Sequence, residues 1–254
     1  MGYKTVRYSM KYPKMIMFDS GQTLRYGKGF NSRKGNAAVL AHATENPNGV
    51  TPEDIKATAE RLFIKPTSDV RAHNIEVCGI NETRYLYEYL GLKFDVSYEK
   101  LAEIFTENAS DDCITPGIEE LLSYLENNGI RTAVVSNLLW PSELLKSVTD
   151  KAIPNNKFEF VITSCDYFFA KPSKQIFEIA LKKAGLDGED VWYCGDNPLA
   201  DVMGSASAGI FPVWYDSREI TFMYKDDSYN TIPTCEHLHI GKWQELIEEI
   251  DKLK

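Results

Sequence analysis

Short runs of apolar residues recur along the chain at residues 15–18, 132–135, 158–162, 191–194 and 212–215. Runs of four or five apolar residues are too short for helices and are typical of strands buried on both faces of a parallel sheet. The first four runs are followed directly by polar residues or by glycine and aspartate, namely Asp19, Ser136, Thr163 and Gly195-Asp196. We therefore predict parallel strands whose carboxyl ends carry the polar groups.

Amphipathic helical patterns alternate with these strands. Apolar residues repeat at helical spacing within residues 118–125, 176–184 and 243–253, and Gly129 and Gly185 mark the ends of the first two patterns. Strands that alternate with helices predict an α/β protein with a doubly wound parallel sheet. Such sheets bind ligands at the carboxyl ends of their strands, where the polar residues named above are expected to meet.

Residues 29–111 interrupt the alternation, because they contain helical patterns and no convincing buried strand. Thr51, followed by Pro52 and two acidic residues, is typical of a helix start, and Ser97 precedes a similar pattern. We predict an α-helical cap domain at residues 29–111, inserted into a core domain of residues 1–28 and 112–254. A cap in this position is expected to act as a lid over the site.

Composition and charge narrow the classes of function. The 254 residues, of which 43% are hydrophobic, are enough to bury a substantial core. The net charge of -9 argues against nucleic acid and anionic membranes as partners, since both require a basic surface. Five scattered cysteines without a CxxC pair predict neither a disulfide framework nor a zinc site. With no signal peptide and no membrane-spanning run, we expect a cytoplasmic protein, whose oligomeric state the sequence does not indicate.

Four polar elements follow one another along the predicted strands: Asp19 with Thr23, Ser136-Asn137, Lys171-Pro172, and Gly195-Asp196 with Asp201. They lie in the segments FDSGQTL, ITPGIEELLSYLENNGIRTAVVSN, AKPSKQIFEIAL and YCGDNPLADVMGSASAG. In this order the segments resemble the motifs of the haloacid dehalogenase superfamily, in the branch with a helical cap after the first motif. The resemblance implies a Rossmann-like core and a hydrolase that uses an aspartyl intermediate and Mg²⁺.

The residues themselves suit hydrolysis of a small phosphorylated molecule. The carboxylate of Asp19 can attack phosphorus and form an acyl phosphate, which divides one difficult displacement into two easier ones. Because a carboxylate and a phosphate repel each other, a divalent cation is needed between them, and oxygen ligands suit Mg²⁺. The expected metal ligands are Asp19, Asp196, Asp201 and, as the resemblance implies, the main-chain carbonyl of Gly21. The expected phosphate contacts are Ser136, Asn137 and Lys171, and Thr23 is expected beside the substrate, bracing the nucleophile loop.

Gly21 departs from the pattern that the resemblance implies. Phosphatases of the superfamily carry a second aspartate at this position as the general acid, and the loss of such an acid costs about 10²- to 10⁴-fold in rate. Three interpretations stay open: a substrate with a good leaving group, another proton donor, or cleavage of a carbon-halogen or carbon-phosphorus bond. The candidate donors are Ser20, Gln22, His73 and Tyr85. A further alternative is a slow phosphometabolite-binding or regulatory protein.

Overall fold

A computed structural model describes residues 10–217, 219–220 and 226–254 of the chain. The strands within these residues are β1 (Met15–Phe18), β2 (Arg25–Phe30), β3 (Ala43–Glu45), β4 (Lys93–Phe94), β5 (Ser110–Ile114), β6 (Arg131–Ser136), β7 (Phe158–Thr163), β8 (Val191–Gly195), β9 (Phe211–Tyr215) and β10 (Leu238–Ile240). The helices are α1 (Ser32–Leu40), α2 (Pro52–Arg71), α3 (Gly79–Tyr89), α4 (Tyr98–Ala109), α5 (Ile118–Asn127), α6 (Ser142–Ala152), α7 (Ser164–Tyr167), α8 (Lys174–Ala184), α9 (Gly204–Ser207) and α10 (Trp243–Asp251). No helix among the described residues is long and apolar enough to cross a membrane.

Six strands form one parallel sheet in the order β10-β9-β8-β1-β6-β7. The five strands that the apolar runs predict are all present. The sixth, β10, is not predicted from the sequence, because it has only three residues and a histidine in the middle. Strand β1 lies between β8 and β6, so the residue that follows β1 is central at the carboxyl edge of the sheet.

Side chains of β1 alternate between two apolar layers, as the twofold period of a strand requires. Ile16 and Phe18 face the cluster that contains α5 and α10, whereas Met15 and Met17 face the cluster that contains α8. All four side chains are completely buried. Helices therefore cover both faces of the sheet, which confirms the predicted doubly wound α/β class.

The helical insert α1 to α4 packs around an apolar cluster of its own, formed by Val39, Val50, Ile55, Leu86, Tyr87, Leu92, Leu101 and Ile104. The antiparallel pair β2 and β5 joins the insert to the core, and the boundaries predicted after residues 28 and 111 fall inside these two strands. Thr51 caps α2 as expected, with its side chain accepting a hydrogen bond from the main chain of Asp54. Helix α1 and the short pair β3 and β4 were not predicted from the sequence.

The loop between α2 and α3 lies against the core. The carbonyl of Asn74 accepts a hydrogen bond from the main-chain N–H of Ala170 at 2.8 Å, and the N–H of Gly79 donates to the carbonyl of Leu139 at 2.7 Å. The buried Glu76 bonds to the core through both its main chain and its carboxylate. The insert is thus fastened to the segments that follow β6 and β7.

Candidate active site

The predicted site residues meet at the carboxyl edge of the sheet. Asp19 follows β1, Ser136 ends β6 and Asp196 follows β8, and these three strands are neighbours. Asp201 lies on a π-helical turn, Pro198–Met203, that continues from β8. Together with Lys171, these residues line a cleft of about 270 Å³.

The ammonium group of Lys171 is the buried counter-ion of this cleft. Its Nζ lies 2.7 Å from Oδ1 of Asp19, 2.6 Å from Oδ1 of Asp201 and 2.8 Å from the hydroxyl of Tyr193. Burial alone lowers the pKa of a lysine, but the two adjacent carboxylates outweigh this effect and raise the pKa of Lys171 above its ordinary value. The lysine is therefore charged at neutral pH.

Three carboxylates share the space beside this lysine. One oxygen from each of Asp19, Asp196 and Asp201 lies within 4.8 Å of the other two, and all three residues are buried. Burial, together with the charges of Asp201 and Asp19, raises the pKa of Asp196 well above its ordinary value. Burial also raises the pKa of Asp201 to about 6, although Lys171 opposes this shift. Because one ammonium group can balance the charge of one carboxylate, ionisation of all three leaves unbalanced negative charge, which a hard divalent cation would offset; the all-oxygen donor set fits such a cation.

Two hydrogen bonds to neighbouring side chains fix the carboxylate of Asp19 itself. The hydroxyl of Ser136 donates to its Oδ1 at 3.0 Å, beside the bond from Lys171. The main-chain N–H of Asp19 donates to the carbonyl of Cys194 at 2.8 Å, which extends the pairing of β1 with β8. The proposed nucleophile is therefore held between two strands and two polar side chains.

Asn137 lines the cleft, and its side chain is bonded to the main chain of Lys171. Its amide nitrogen donates to the carbonyl of Lys171 at 2.9 Å, and its amide oxygen accepts from the N–H of Lys171 at 2.7 Å. Both polar groups of the side chain are thus engaged. Asn137 therefore positions the loop that carries the lysine, and its contact with phosphate stays a prediction.

Thr23 and Gly21 differ in what they offer to a substrate. Thr23 is completely buried and its hydroxyl donates to Oδ1 of Asp196 at 3.3 Å, so it braces the nucleophile loop but leaves no surface for the predicted substrate contact. Gly21 lines the cleft, and a Cβ atom at this position would meet no other atom within 4 Å. The cleft therefore has room for a side chain where the general acid is missing.

Two tyrosines that contact the charged residues of the site were not found by sequence reasoning. The hydroxyl of Tyr193 donates to the carbonyl of Val135 at 2.6 Å while accepting from Lys171, and a lone hydroxyl in the apolar run of β8 was a signal for it. Tyr229 donates to Oδ2 of Asp196 at 2.6 Å and accepts from Gln22 at 2.9 Å. Tyr229 lies in a short turn 33 residues after Asp196, and no periodic pattern connects the two.

Of the four candidate proton donors, one lines the cleft, and the helical insert contributes no lining side chain among the described residues. Gln22 lines the cleft, whereas Ser20, His73 and Tyr85 are not among its lining residues. Among the described residues, the lining side chains come from the core and from the segment around Asp226, and none comes from residues 29–111. The insert, expected as a lid, lies beside the cleft, on the loops that follow β6 and β7.

The structure thus places an aspartate after the central strand of a doubly wound sheet and an acidic turn after the neighbouring strand. The family model of haloacid dehalogenase-like hydrolases matches residues 51–214, which is more than half of the chain. The protein belongs to this family, which confirms the resemblance to the superfamily. The matched residues include the second, third and fourth motifs, and the first motif, around Asp19, lies before them.

Relatives with assigned activities cover part of the chain. Phosphoserine phosphatase of Thermus thermophilus is 28% identical over 117 residues, which are 46% of this chain and 46% of that protein. Pyrimidine 5'-nucleotidase YjjG of Escherichia coli is 27% identical over 134 residues, which are 52% of this chain and 58% of that protein. The chain thus spans about half the length of these two relatives.

A solved structure covers nearly all of the chain. The crystal structure of 2-haloacid dehalogenase from Pseudomonas syringae matches 96% of this chain and 100% of that chain, with a TM-score of 0.60 and 19% identity. At this identity the similarity shows the fold alone.

Proposed function

We propose that the protein hydrolyses a small phosphorylated metabolite, with Asp19 as the nucleophile and Mg²⁺ as the metal ion. The observation that carries the proposal is the grouping of three carboxylates within 4.8 Å of one another around one buried lysine, Lys171. A phosphate group is an anion and is attacked by a carboxylate only where positive charge is concentrated. The names of the two relatives, a phosphoserine phosphatase and a nucleotidase, support the same substrate class.

Each side chain has a definite task in this reaction. Asp19 attacks phosphorus, the bond from phosphorus to the leaving oxygen breaks, and water then cleaves the acyl phosphate and restores the carboxylate. Lys171 and Ser136 hold Asp19 in place and face the phosphoryl oxygens. Mg²⁺, bound by Asp19, Asp196 and Asp201 together with the carbonyl of Gly21, would supply the remaining positive charge.

Gly21 narrows the range of suitable substrates. Without a carboxylic acid at this position, protonation of an alkoxide leaving group loses a contribution of about 10²- to 10⁴-fold. Acyl phosphates, phosphoanhydrides and aryl phosphates leave without such help. We therefore expect substrates of these kinds to be hydrolysed faster than sugar phosphates.

The experiment that tests the proposal is hydrolysis of acetyl phosphate and p-nitrophenyl phosphate in the presence of Mg²⁺. Turnover of both should be lost on chelation and should fall more than about 10³-fold in Asp19→Asn, because the nucleophile is removed. The matched control is Asp95→Asn, which removes an exposed carboxylate of the insert and should retain full turnover.

Other outcomes would point to other functions. Tight binding of inorganic phosphate without turnover of any substrate would favour a phosphometabolite-binding protein, consistent with the missing acid at Gly21. Release of halide from a 2-haloacid that is insensitive to chelation would favour carbon-halogen cleavage. Either result overturns the proposed hydrolysis of phosphorylated substrates.

A further inference from the structure

Two cysteines face each other across the junction between the helical insert and the core. Cys78 directly precedes α3 in the insert, and Cys165 lies in α7, directly after β7 of the core. Their Sγ atoms are 3.0 Å apart although 87 residues separate them in sequence. Both are free thiols and both are partly exposed, so a small reagent can reach them.

The main chain on both sides of this pair is fixed by hydrogen bonds. The N–H of Gly79, next to Cys78, donates to the carbonyl of Leu139 at 2.7 Å, and the N–H of Cys165 donates to the carbonyl of Leu138 at 3.1 Å. The two thiols are thus held against each other by the docking of insert on core. A disulfide has an S–S distance of about 2.0 Å, so the two sulfur atoms must approach each other by about 1 Å to form the bond.

We propose that Cys78 and Cys165 are a reversible oxidation site, at which a peroxide forms a disulfide that links the helical insert covalently to the core. One thiolate attacks a peroxide oxygen, which gives a sulfenic acid, and the other thiol displaces its oxygen as the S–S bond forms. Two thiols and one molecule of hydrogen peroxide give one disulfide and two molecules of water. A dithiol reductant reverses the reaction by thiol–disulfide exchange. The inference is independent of the proposed hydrolysis.

The surroundings assign different tasks to the two sulfurs. Burial, together with the neighbouring Cys78, raises the pKa of the Cys165 thiol. Because the thiolate is the nucleophile, this shift disfavours Cys165 as the sulfur that attacks the peroxide and suits it to attack the sulfenic acid.

The other three cysteines offer no comparable site. Cys194 is completely buried in β8, and burial raises the pKa of its thiol well above the ordinary value. Within residues 10–217, 219–220 and 226–254, the pair of Cys78 and Cys165 is the one in which two cysteine sulfurs are in contact. Oxidation should therefore be selective for two thiols out of five.

The test is to treat the purified protein with hydrogen peroxide, alkylate the remaining thiols, and map cysteine peptides by mass spectrometry. The expected product has lost two hydrogen atoms, carries a Cys78–Cys165 cross-linked peptide and returns to five free thiols with dithiothreitol. Cys78→Ser and Cys165→Ser should not form the bond, whereas Cys113→Ser, the matched control, should form it as the wild type does. Sulfinic or sulfonic acids at these positions, a different pairing, or five unmodified thiols would overturn the proposal.

Thermal unfolding gives a second readout of the same bond. A disulfide that spans 87 residues restricts the unfolded chain, so oxidised wild-type protein should unfold at a Tm roughly 5–10 °C above that of the reduced protein. Peroxide should not raise the Tm of Cys78→Ser. An equal rise in that variant would mean that the stabilisation does not come from the Cys78–Cys165 bond. If a variant fails to fold, the peptide map of the wild-type protein still shows whether the bond forms.

Discussion

The carboxyl edge of the sheet and the helical insert use charged residues in opposite ways. At the sheet edge, Lys171 and its carboxylate partners are buried and in direct contact, with side-chain exposures of 2% for Lys171 and 10% for Asp19. In the insert, most ion pairs lie on the surface, as Lys56 with Glu60 does with exposures of 55% and 54%; the pair of Arg71 with the buried Glu76, at the junction with the core, is an exception. The stability of the insert comes from its apolar cluster, and its surface charges are dispensable.

Buried charges of this kind destabilise a fold, and a protein without a function for them would not be expected to keep them. A desolvated carboxylate is unfavourable unless it is paired, and here three carboxylates lie around one lysine. Groups with pKa values shifted by burial and by one another, in a cleft, are a physical mark of a functional site. The difference between the two regions therefore separates what the molecule uses for chemistry from what it uses for packing.

Replacement of the buried Lys171 should have the largest effect on the stability of the protein. In Lys171→Met, Asp19 and Asp201 lose a buried counter-ion, so the free energy of unfolding in the presence of a chelator should fall by about 3–5 kcal/mol. The matched control Lys56→Met, on the surface of the insert, should stay within about 0.5 kcal/mol. Urea denaturation measures both. Equal losses in the two variants would mean that the cleft is no more charge-dependent than the surface of the insert.

Restoring an acid to the cleft should have the next largest effect. Because a Cβ atom at Gly21 meets nothing within 4 Å, Gly21→Asp should fold normally and place a carboxyl group over the leaving-group side of the cleft. Turnover of an alkyl phosphate should rise by about 10²-fold, with little change for p-nitrophenyl phosphate. Gly21→Asn, of the same size but without an acid, should show no gain. An equal gain for both variants would assign the effect to packing and not to proton transfer.

The local pattern of apolar residues predicted the strands and helices whose buried positions repeat regularly along the chain. The strands that carry Asp19, Ser136 and Asp196 are buried on both faces, and such strands are visible as apolar runs. Helix α1 was missed because its buried face is made of Gly35 and Asn36 as well as Val39, which gives a weak apolar period. Gly35 is required there by close packing, since its Cβ would lie 2.7 Å from the ring of Phe105.

Contacts between distant segments could not be predicted from local patterns. The bond from Tyr229 to Asp196 and the paired bonds from Asn137 to the main chain of Lys171 depend on how loops meet after folding. The motif order was sufficient to identify which residues gather at the sheet edge. It did not show that the side chain of Thr23 is completely buried, or that the side chain of Asn137 holds the loop of Lys171.

A change at the docking surface of the insert should have a smaller effect. A Cβ atom at Gly79 would lie 2.0 Å from Cδ1 of Leu139 and 2.8 Å from the ring of Trp140, so Gly79→Ala should lower the free energy of unfolding by about 1–3 kcal/mol. Gly29→Ala is the control, since its Cβ would meet its nearest neighbour, Asp111, at 3.6 Å. Urea denaturation should leave Gly29→Ala near the wild type. A loss confined to Gly29→Ala would contradict the docking described for α3.

The smallest expected effect on stability comes from removing one capping side chain in each region. Asn197 accepts hydrogen bonds from the N–H groups of Leu199 and Ala200, each at 2.9 Å, and Thr51 accepts one from Asp54 at 3.2 Å. Asn197→Ala and Thr51→Ala should each lower the free energy of unfolding by about 1 kcal/mol. Thermal denaturation in the presence of a chelator measures this loss.

The two caps should nevertheless differ in their effect on catalysis. Asn197 begins the turn that carries Asp201, and its main-chain N–H also donates to Oδ2 of Asp201 at 2.9 Å, so a loosened turn displaces a carboxylate of the cleft. Hydrolysis of acetyl phosphate should therefore fall, by up to about 10²-fold, in Asn197→Ala and should be unchanged in Thr51→Ala. Because the two substitutions should cost the same stability, a difference in turnover would come from the displaced carboxylate of Asp201 and not from the stability of the protein. Equal turnover in the two variants would mean that the geometry of the acidic turn does not limit the reaction.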